Sequence, residues 1–199
     1  LDEMKTLTDI AKAHNLKTHL DGARFANAMI ALDCTPAELT WKSGIDVVSF
    51  GATKNGCLGV EAVVFFNPEM AWEFELRRKR GGHLLSKHRM LSAQMQGYLK
   101  DDLWIDLARK ANSECQKLLS KIEKNPNIKI IHPPEANLIF ATIPTKLHDK
   151  LISNGAKYNH WSSQMSPLDV PENETKIRLA CSWCTTELEI NKLLELFNY

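Results

Sequence analysis

Ile45-Asp-Val-Val-Ser-Phe50-Gly-Ala-Thr-Lys54-Asn-Gly-Cys-Leu-Gly-Val60-Glu-Ala-Val-Val-Phe-Phe66 sets two β-branched, aromatic runs on either side of a polar turn punctuated by glycine. Each run is too short for a helix and has the composition of a strand buried on both faces. The stretch between them has no helical pattern and is shorter than a parallel crossover requires, so the second strand is expected to run back antiparallel to the first. Lys54 then stands at a sheet edge among small residues that let a ligand approach the backbone. An amine so placed suits a lysine that forms a Schiff base with a carbonyl cofactor or substrate. In this window alone, a solvated loop lysine is the commoner case.

Upstream, Leu1, Met4, Leu7, Ile10 and Ala11 recur with helical period, and Lys17-Thr-His-Leu-Asp21 reads as a short strand broken by Gly22. Ala23 to Leu32 reads as a helix. Thr35-Pro36 predicts the start of another, with a hydroxyl N-cap and proline at the first helical position. A strand, helical crossover and strand in one sheet are parallel and right-handed, so Asp21 and the loop after Phe50 emerge at the same carboxyl edge. Open α/β sheets bind their ligands there. Asp21 also reads simply as a turn-forming residue before glycine.

Downstream, Asn67-Pro68 begins a helix through Trp72, Phe74 and Leu76 into Arg77-Arg-Lys-Arg80, whose cations suit a helix C-terminus. Ser86 to Leu99 and Asp101 to Ile122 follow as amphipathic helices, with an aspartate of 101–102 available to cap the second. Met90, Leu91, Met95 and Leu99 read as core or subunit contact, as do Trp72, Phe74 and Trp104. The character changes near Asn125-Pro126, which divides the chain into residues 1–124 and a smaller α+β domain, 125–199. In the latter, strands (Ile128 to Ile131, Asn137 to Ile143, Lys176 to Trp183) alternate with helices (Lys146 to Ser153, Thr186 to Phe197), and Thr186 and Glu189 have capping-box spacing. Period-two alternation puts Ile177, Leu179, Cys181 and Trp183 on one face of the last strand and Arg178 on the other. An arginine fork there suits a carboxylate, and equally a solvated strand position.

With 25 basic and 24 acidic residues the chain gives no reason to expect nucleic acid or an anionic membrane as partner, and no apolar run is long enough to span a bilayer. Five scattered cysteines argue for a reducing compartment, hence a cytoplasmic protein. Cys181-Ser-Trp-Cys184 has metal-like spacing but no second pair, so no metal site is expected. The chain begins Leu-Asp-Glu-Met, without an initiator methionine, and is expected to be a piece of a longer protein.

Taken together, His19-Leu-Asp-Gly-Ala-Arg24, Ser49-Phe-Gly-Ala-Thr-Lys54-Asn-Gly56 and Lys176-Ile-Arg178-Leu-Ala-Cys-Ser182 resemble pyridoxal-phosphate enzymes of aspartate-aminotransferase fold. The wording is most similar to the low-specificity L-threonine aldolases. The resemblance runs over nearly the whole chain, through Leu85-Ser-Lys-His-Arg89 and Ala93-Gln-Met-Gln-Gly-Tyr98. It implies an α/β fold of type I, with part of the large domain's mainly parallel sheet and a small α+β C-terminal domain. It implies pyridoxal 5'-phosphate held by Lys54 as the Schiff-base lysine and by Asp21 at the pyridine nitrogen, with Thr53 and Arg89 toward the phosphate. Arg24 and Arg178 are implied for the substrate carboxylate. The implied reaction is retro-aldol cleavage of threonine or allo-threonine to glycine and acetaldehyde, in a homodimer or homotetramer. The family's glycine-containing phosphate segment and stacking histidine have no counterpart here. An aminotransferase, β-eliminating lyase or cysteine desulfurase shares the lysine and aspartate. A non-catalytic oligomerisation module is the reading from a different class.

Overall fold

The computed structural model describes residues 1–160 and 171–197. By packing, the chain divides into two units, Leu1–Ala108 and Arg109–Tyr199. Among the described residues no helix is long and apolar enough to cross a membrane.

The first unit opens with α1 (Asp2–Ala13) and is built on three strands: β1 (His19–Gly22), β2 (Val47–Gly51) and β3 (Glu61–Phe65). β1 and β2 are parallel, with Asp21 opposite Ser49, and β2 and β3 are antiparallel, as the length of the intervening loop demands. The entry to the pair is pinned by Asp46. Its carboxylate accepts from the Thr18 backbone N–H at 2.9 Å, the Thr18 hydroxyl at 3.1 Å and Lys17 Nζ at 3.0 Å. Helix α2 (Phe25–Ala31) crosses between the strands and buries Phe25, Ala26 and Met29 against Val48 and Ala52. β3 is an edge strand with Val63 and Val64 both exposed. The unit continues with α3 (Ala71–Arg80), α4 (Arg89–Leu99) and the start of α5 (Leu103–Ile122).

Three local expectations need correction. Thr35 and Glu38 do form reciprocal cap bonds, but only a turn and the 3-10 segment Trp41–Ser43 follow. The hydroxyls of Thr40 and Ser43 take the carbonyls of Pro36 and Glu38, which a continuing helix would need for its own ladder. The helix expected from Ser86 starts at Arg89, because Lys87 has φ +58°. Asp101 and Asp102 break the chain in left-handed backbone at φ +53° and +58°, within the 3-10 segment Lys100–Asp102. Trp104 is core, 8% exposed, whereas Trp72 and Met90 are open to solvent.

The second unit is an antiparallel sheet in the order β4-β5-β7-β6, from β4 (Lys129–Ile130), β5 (Leu138–Pro144), β6 (Asn159–His160) and β7 (Glu174–Ala180). Ile139, Ala141, Ile143, Ile177 and Leu179 alternate inward. They meet Cys115, Leu118 and Ile122 of α5, Leu151 of α6 (Thr145–Ser153), and Ile190 and Phe197 of α7 (Glu187–Phe197). Most of the inner face of α5 therefore packs with this sheet, so the structural division falls earlier than the 124/125 boundary read from composition. The capping box closes on α7, with Glu189 Oε2 accepting from the Thr186 backbone N–H and hydroxyl at 2.8 Å each. Trp183 does not join the buried face, because β7 ends at Ala180 and the turn after it leaves the indole 37% exposed.

Candidate active site

The carboxyl ends of β1 and β2 are in backbone contact. A Cβ added at Gly22 would lie 2.6 Å from the Ser49 carbonyl oxygen, and one added at Gly51 would lie 2.7 Å from Ala23 Cα. Only glycine permits that approach. It brings the Asp21 turn and the loop that carries Lys54 to one edge of the sheet, the juxtaposition expected from parallel topology. Asp21 is exposed, and its Oδ1 accepts from the Ala23 N–H at 3.1 Å, closing the turn and leaving the other oxygen free of that bond. On the strand behind it, His19 Nε2 and Ser49 Oγ are 2.7 Å apart. Arg24 follows at the N-cap of α2, half-buried.

Lys54 lies in a 3-10 turn (Thr53–Asn55) with its side chain exposed and, among the described residues, in no hydrogen bond or ion pair. Its neighbours are firmly held. The Thr53 hydroxyl donates to the Val60 carbonyl at 3.3 Å and accepts from the Val60 N–H at 3.1 Å, so it closes the loop. Asn55 is buried, and its Nδ2 donates to the Tyr98 hydroxyl at 2.7 Å and to the Trp104 carbonyl at 2.9 Å. Gln94 Oε1 accepts from the N–H groups of Leu58 at 3.1 Å and Gly59 at 3.3 Å. Beneath the loop Phe25, Phe50, Tyr98 and Trp104 form an aromatic cluster. Burial there pushes the Tyr98 hydroxyl up to about 12, so it is neutral and serves as a hydrogen-bonding group.

Asn55, Gln94 and Tyr98 fall within the stretches that carry the family resemblance, but spacing gives them no role, because their partners lie dozens of residues away.

Arg89 is exposed in the first turn of α4, the helix that also carries Gln94 and Tyr98. Beside it, His88 Nδ1 is buried without a partner among the described residues. Arg178 belongs to the second unit. It is half-buried on β7, across from Phe140 and Asn159, and lines a cleft with Tyr158, Ser182 and Thr185. Its Nε is buried with no hydrogen-bond partner among the described residues, an orphaned charged donor that a carboxylate would satisfy. No group of three or more metal-ligating side chains occurs among the described residues.

Comparison with known proteins bears on this arrangement. Residues 1–145 match the beta-eliminating lyase family. The chain is 39% identical over 192 residues to the low specificity L-threonine aldolase of Pseudomonas sp. (strain NCIMB 10558), covering 96% of this chain and 53% of the relative. It is 38% identical over 196 residues to the enzyme of the same name from Pseudomonas aeruginosa, covering 98% and 53%. The chain thus spans about half the length of the curated relatives it matches. Among solved structures, the threonine aldolase of Leishmania major superposes with a TM-score of 0.85 at 24% identity, over 99% of this chain and 55% of that one. The expected α/β, aspartate-aminotransferase-like fold therefore stands.

Proposed function

Because the chain belongs to the beta-eliminating lyase family, we propose that its whole protein is a pyridoxal 5'-phosphate-dependent aldehyde-lyase. Its reaction is the retro-aldol cleavage of L-threonine or L-allo-threonine to glycine and acetaldehyde. The observation that carries the reading is the glycine-enforced contact between the ends of β1 and β2, which brings the Asp21 turn to the strand that leads into the Lys54 loop, the Lys54 amine making no bond among the described residues. The names of the two Pseudomonas relatives supply the reaction.

The residues fit the cofactor. An exposed amine with no competing partner among the described residues suits attachment to an aldehyde carbon, and a carboxylate with one oxygen outside the Ala23 bond suits a protonated ring nitrogen. When bound, pyridoxal phosphate supplies an electron sink for the bond broken at the substrate α-carbon. Asp21 holds the proton on the ring nitrogen, and its turn fixes the carboxylate's direction. Lys54 anchors the cofactor and carries protons. Arg24 and Arg178 hold the substrate carboxylate, the orphaned Nε being the support for the latter. Arg89 and Thr53 are assigned to the phosphate, and for Thr53 this requires its hydroxyl to turn from the Val60 carbonyl. The substrate is a β-hydroxy-α-amino acid, and the assembly a cytoplasmic homodimer or homotetramer, in keeping with exposed Trp72 and Met90 and five free cysteines.

The test is incubation of the protein with pyridoxal phosphate and L-threonine, beside Lys54→Ala. Acetaldehyde and glycine from the wild type, and none from the variant, support the lyase. Ammonia and a keto acid instead would favour another enzyme of this fold, and activity that survives in Lys54→Ala would sink the lysine's role.

A further inference from the structure

Lys54 occupies a loop that has to be both open and fixed: open for a ligand to reach the amine, fixed for the amine to meet it at one angle. Its own side chain contributes nothing to the second requirement, since it makes no bond among the described residues. The restraint lies one residue on. Asn55 turns inward to 3% exposure, and its amide is strung between the Tyr98 hydroxyl of α4 at 2.7 Å and the Trp104 carbonyl at the start of α5 at 2.9 Å. Both Nδ2 protons are therefore used, on two separate pieces of chain, and the side chain has no freedom left to rotate. The same helix α4 reaches the loop a second time through Gln94, which holds the N–H groups of Leu58 and Gly59. Within the loop, the N–H groups of Asn55 and Cys57 both return to the Ala52 carbonyl, at 3.0 and 3.2 Å.

We propose that Asn55 is a positioning residue for Lys54, with Tyr98 as its anchor, so that α4 sets the approach of the amine. The inference rests on the reading of Lys54 as the cofactor-anchoring lysine. Successive residues of this 3-10 turn point about 120° apart, with Lys54 exposed and Asn55 buried, so holding the Asn55 amide in the core holds the backbone from which Lys54 projects outward. The packing of Tyr98 against Phe50 makes the anchor rigid, with ring centroids 6.0 Å apart. Tyr98→Phe removes the hydroxyl acceptor and keeps the ring, so the core survives while the strut is cut. Gln94→Ala releases the exposed half of the loop without touching the core, and serves if Tyr98→Phe fails to fold.

The experiment has two readouts on the protein and both variants. Amide hydrogen exchange without cofactor is expected to speed up at least tenfold at Asn55 and Cys57 in Tyr98→Phe, with the β1–β2 ladder unchanged. With pyridoxal phosphate and L-threonine, kcat is expected to fall at least tenfold while KM for threonine stays within twofold, because ground-state binding does not depend on the lysine's angle. Gln94→Ala is expected to show the same pattern, smaller. Unchanged exchange at Asn55 and Cys57, or faster exchange with kcat intact, overturns the proposal. A parallel loss of kcat and rise of KM also overturns it, since that is the mark of general disorder. Failure of the underlying reading is separately visible: after borohydride reduction the wild type would then carry no cofactor on Lys54, and the proposal would fall with that reading.

Discussion

Replacing Gly51 by alanine puts the close approach of β1 and β2 to a direct test. The added methyl would stand 2.7, 2.8 and 2.9 Å from Ala23 Cα, O and C, where ordinary contact begins at 3.4 Å. All three are backbone atoms, so the obstacle cannot swing aside as a side chain would. The Asp21 turn must retreat by more than half an ångström, which strains its bond to Ala23 N–H and opens the Phe25 packing behind it. Overpacking in a well-packed region costs about 1–3 kcal/mol, and a backbone obstacle argues for the upper end. A loss of about 3 kcal/mol is roughly a 150-fold fall in the folding equilibrium. It should appear in urea titration as a lower midpoint at unchanged m value. Gly97→Ala is the internal control. Gly97 is in the last turn of α4 with nothing within 4 Å of a new Cβ, so the same chemical change there should not destabilise, and should gain up to about 0.5 kcal/mol. If Gly51→Ala is as stable as the wild type, the two strand ends are not in contact, and the juxtaposition of Asp21 with the Lys54 loop loses its basis.

Three further outcomes are expected. Ile139→Ala removes a fully buried side chain from the centre of the second sheet and should cost about 2–5 kcal/mol in urea titration; a loss under 1 kcal/mol would contradict the packing. Thr186→Ala deletes the cap of α7 and should cost about 1 kcal/mol by the same assay, with Thr186→Ser largely restoring it. Burial raises the Asp46 carboxyl, but the bonds from Thr18 and Lys17 outweigh it and hold its pKa below the ordinary carboxylate value. A depressed folded pKa gives stability that is complete above the unfolded value, about 3.9, and is lost as pH falls through the folded one. The stability gap between wild type and Asp46→Asn should therefore be constant above pH 5 and shrink below pH 4, whereas a gap independent of pH would refute the carboxylate's role.

Much of this protein follows from local sequence. The runs flanking Lys54 are strands because their residues are β-branched and aromatic and their length is short, and the second runs back because no crossover fits between them. Parallel β1 and β2 follow from the helix between them, and with them the shared edge of Asp21 and Lys54. The capping box of α7 is equally local, two residues three positions apart that bond each other. What only the tertiary structure decided is whatever depends on a distant partner. Thr35 and Glu38 form their cap, yet no helix follows, because Thr40 and Ser43 compete for the carbonyls. Trp104 is core and Trp72 is not, although the two are alike by composition and neighbourhood. Asn55 looks like any polar turn residue until Tyr98, 43 positions on, comes within 2.7 Å of it. Hydrogen bonds within a few residues are fixed by chain geometry, and so can be read from spacing. Those across the fold exist only once the core has formed and set their distances, and the aim of the Lys54 loop is held by bonds of that second kind.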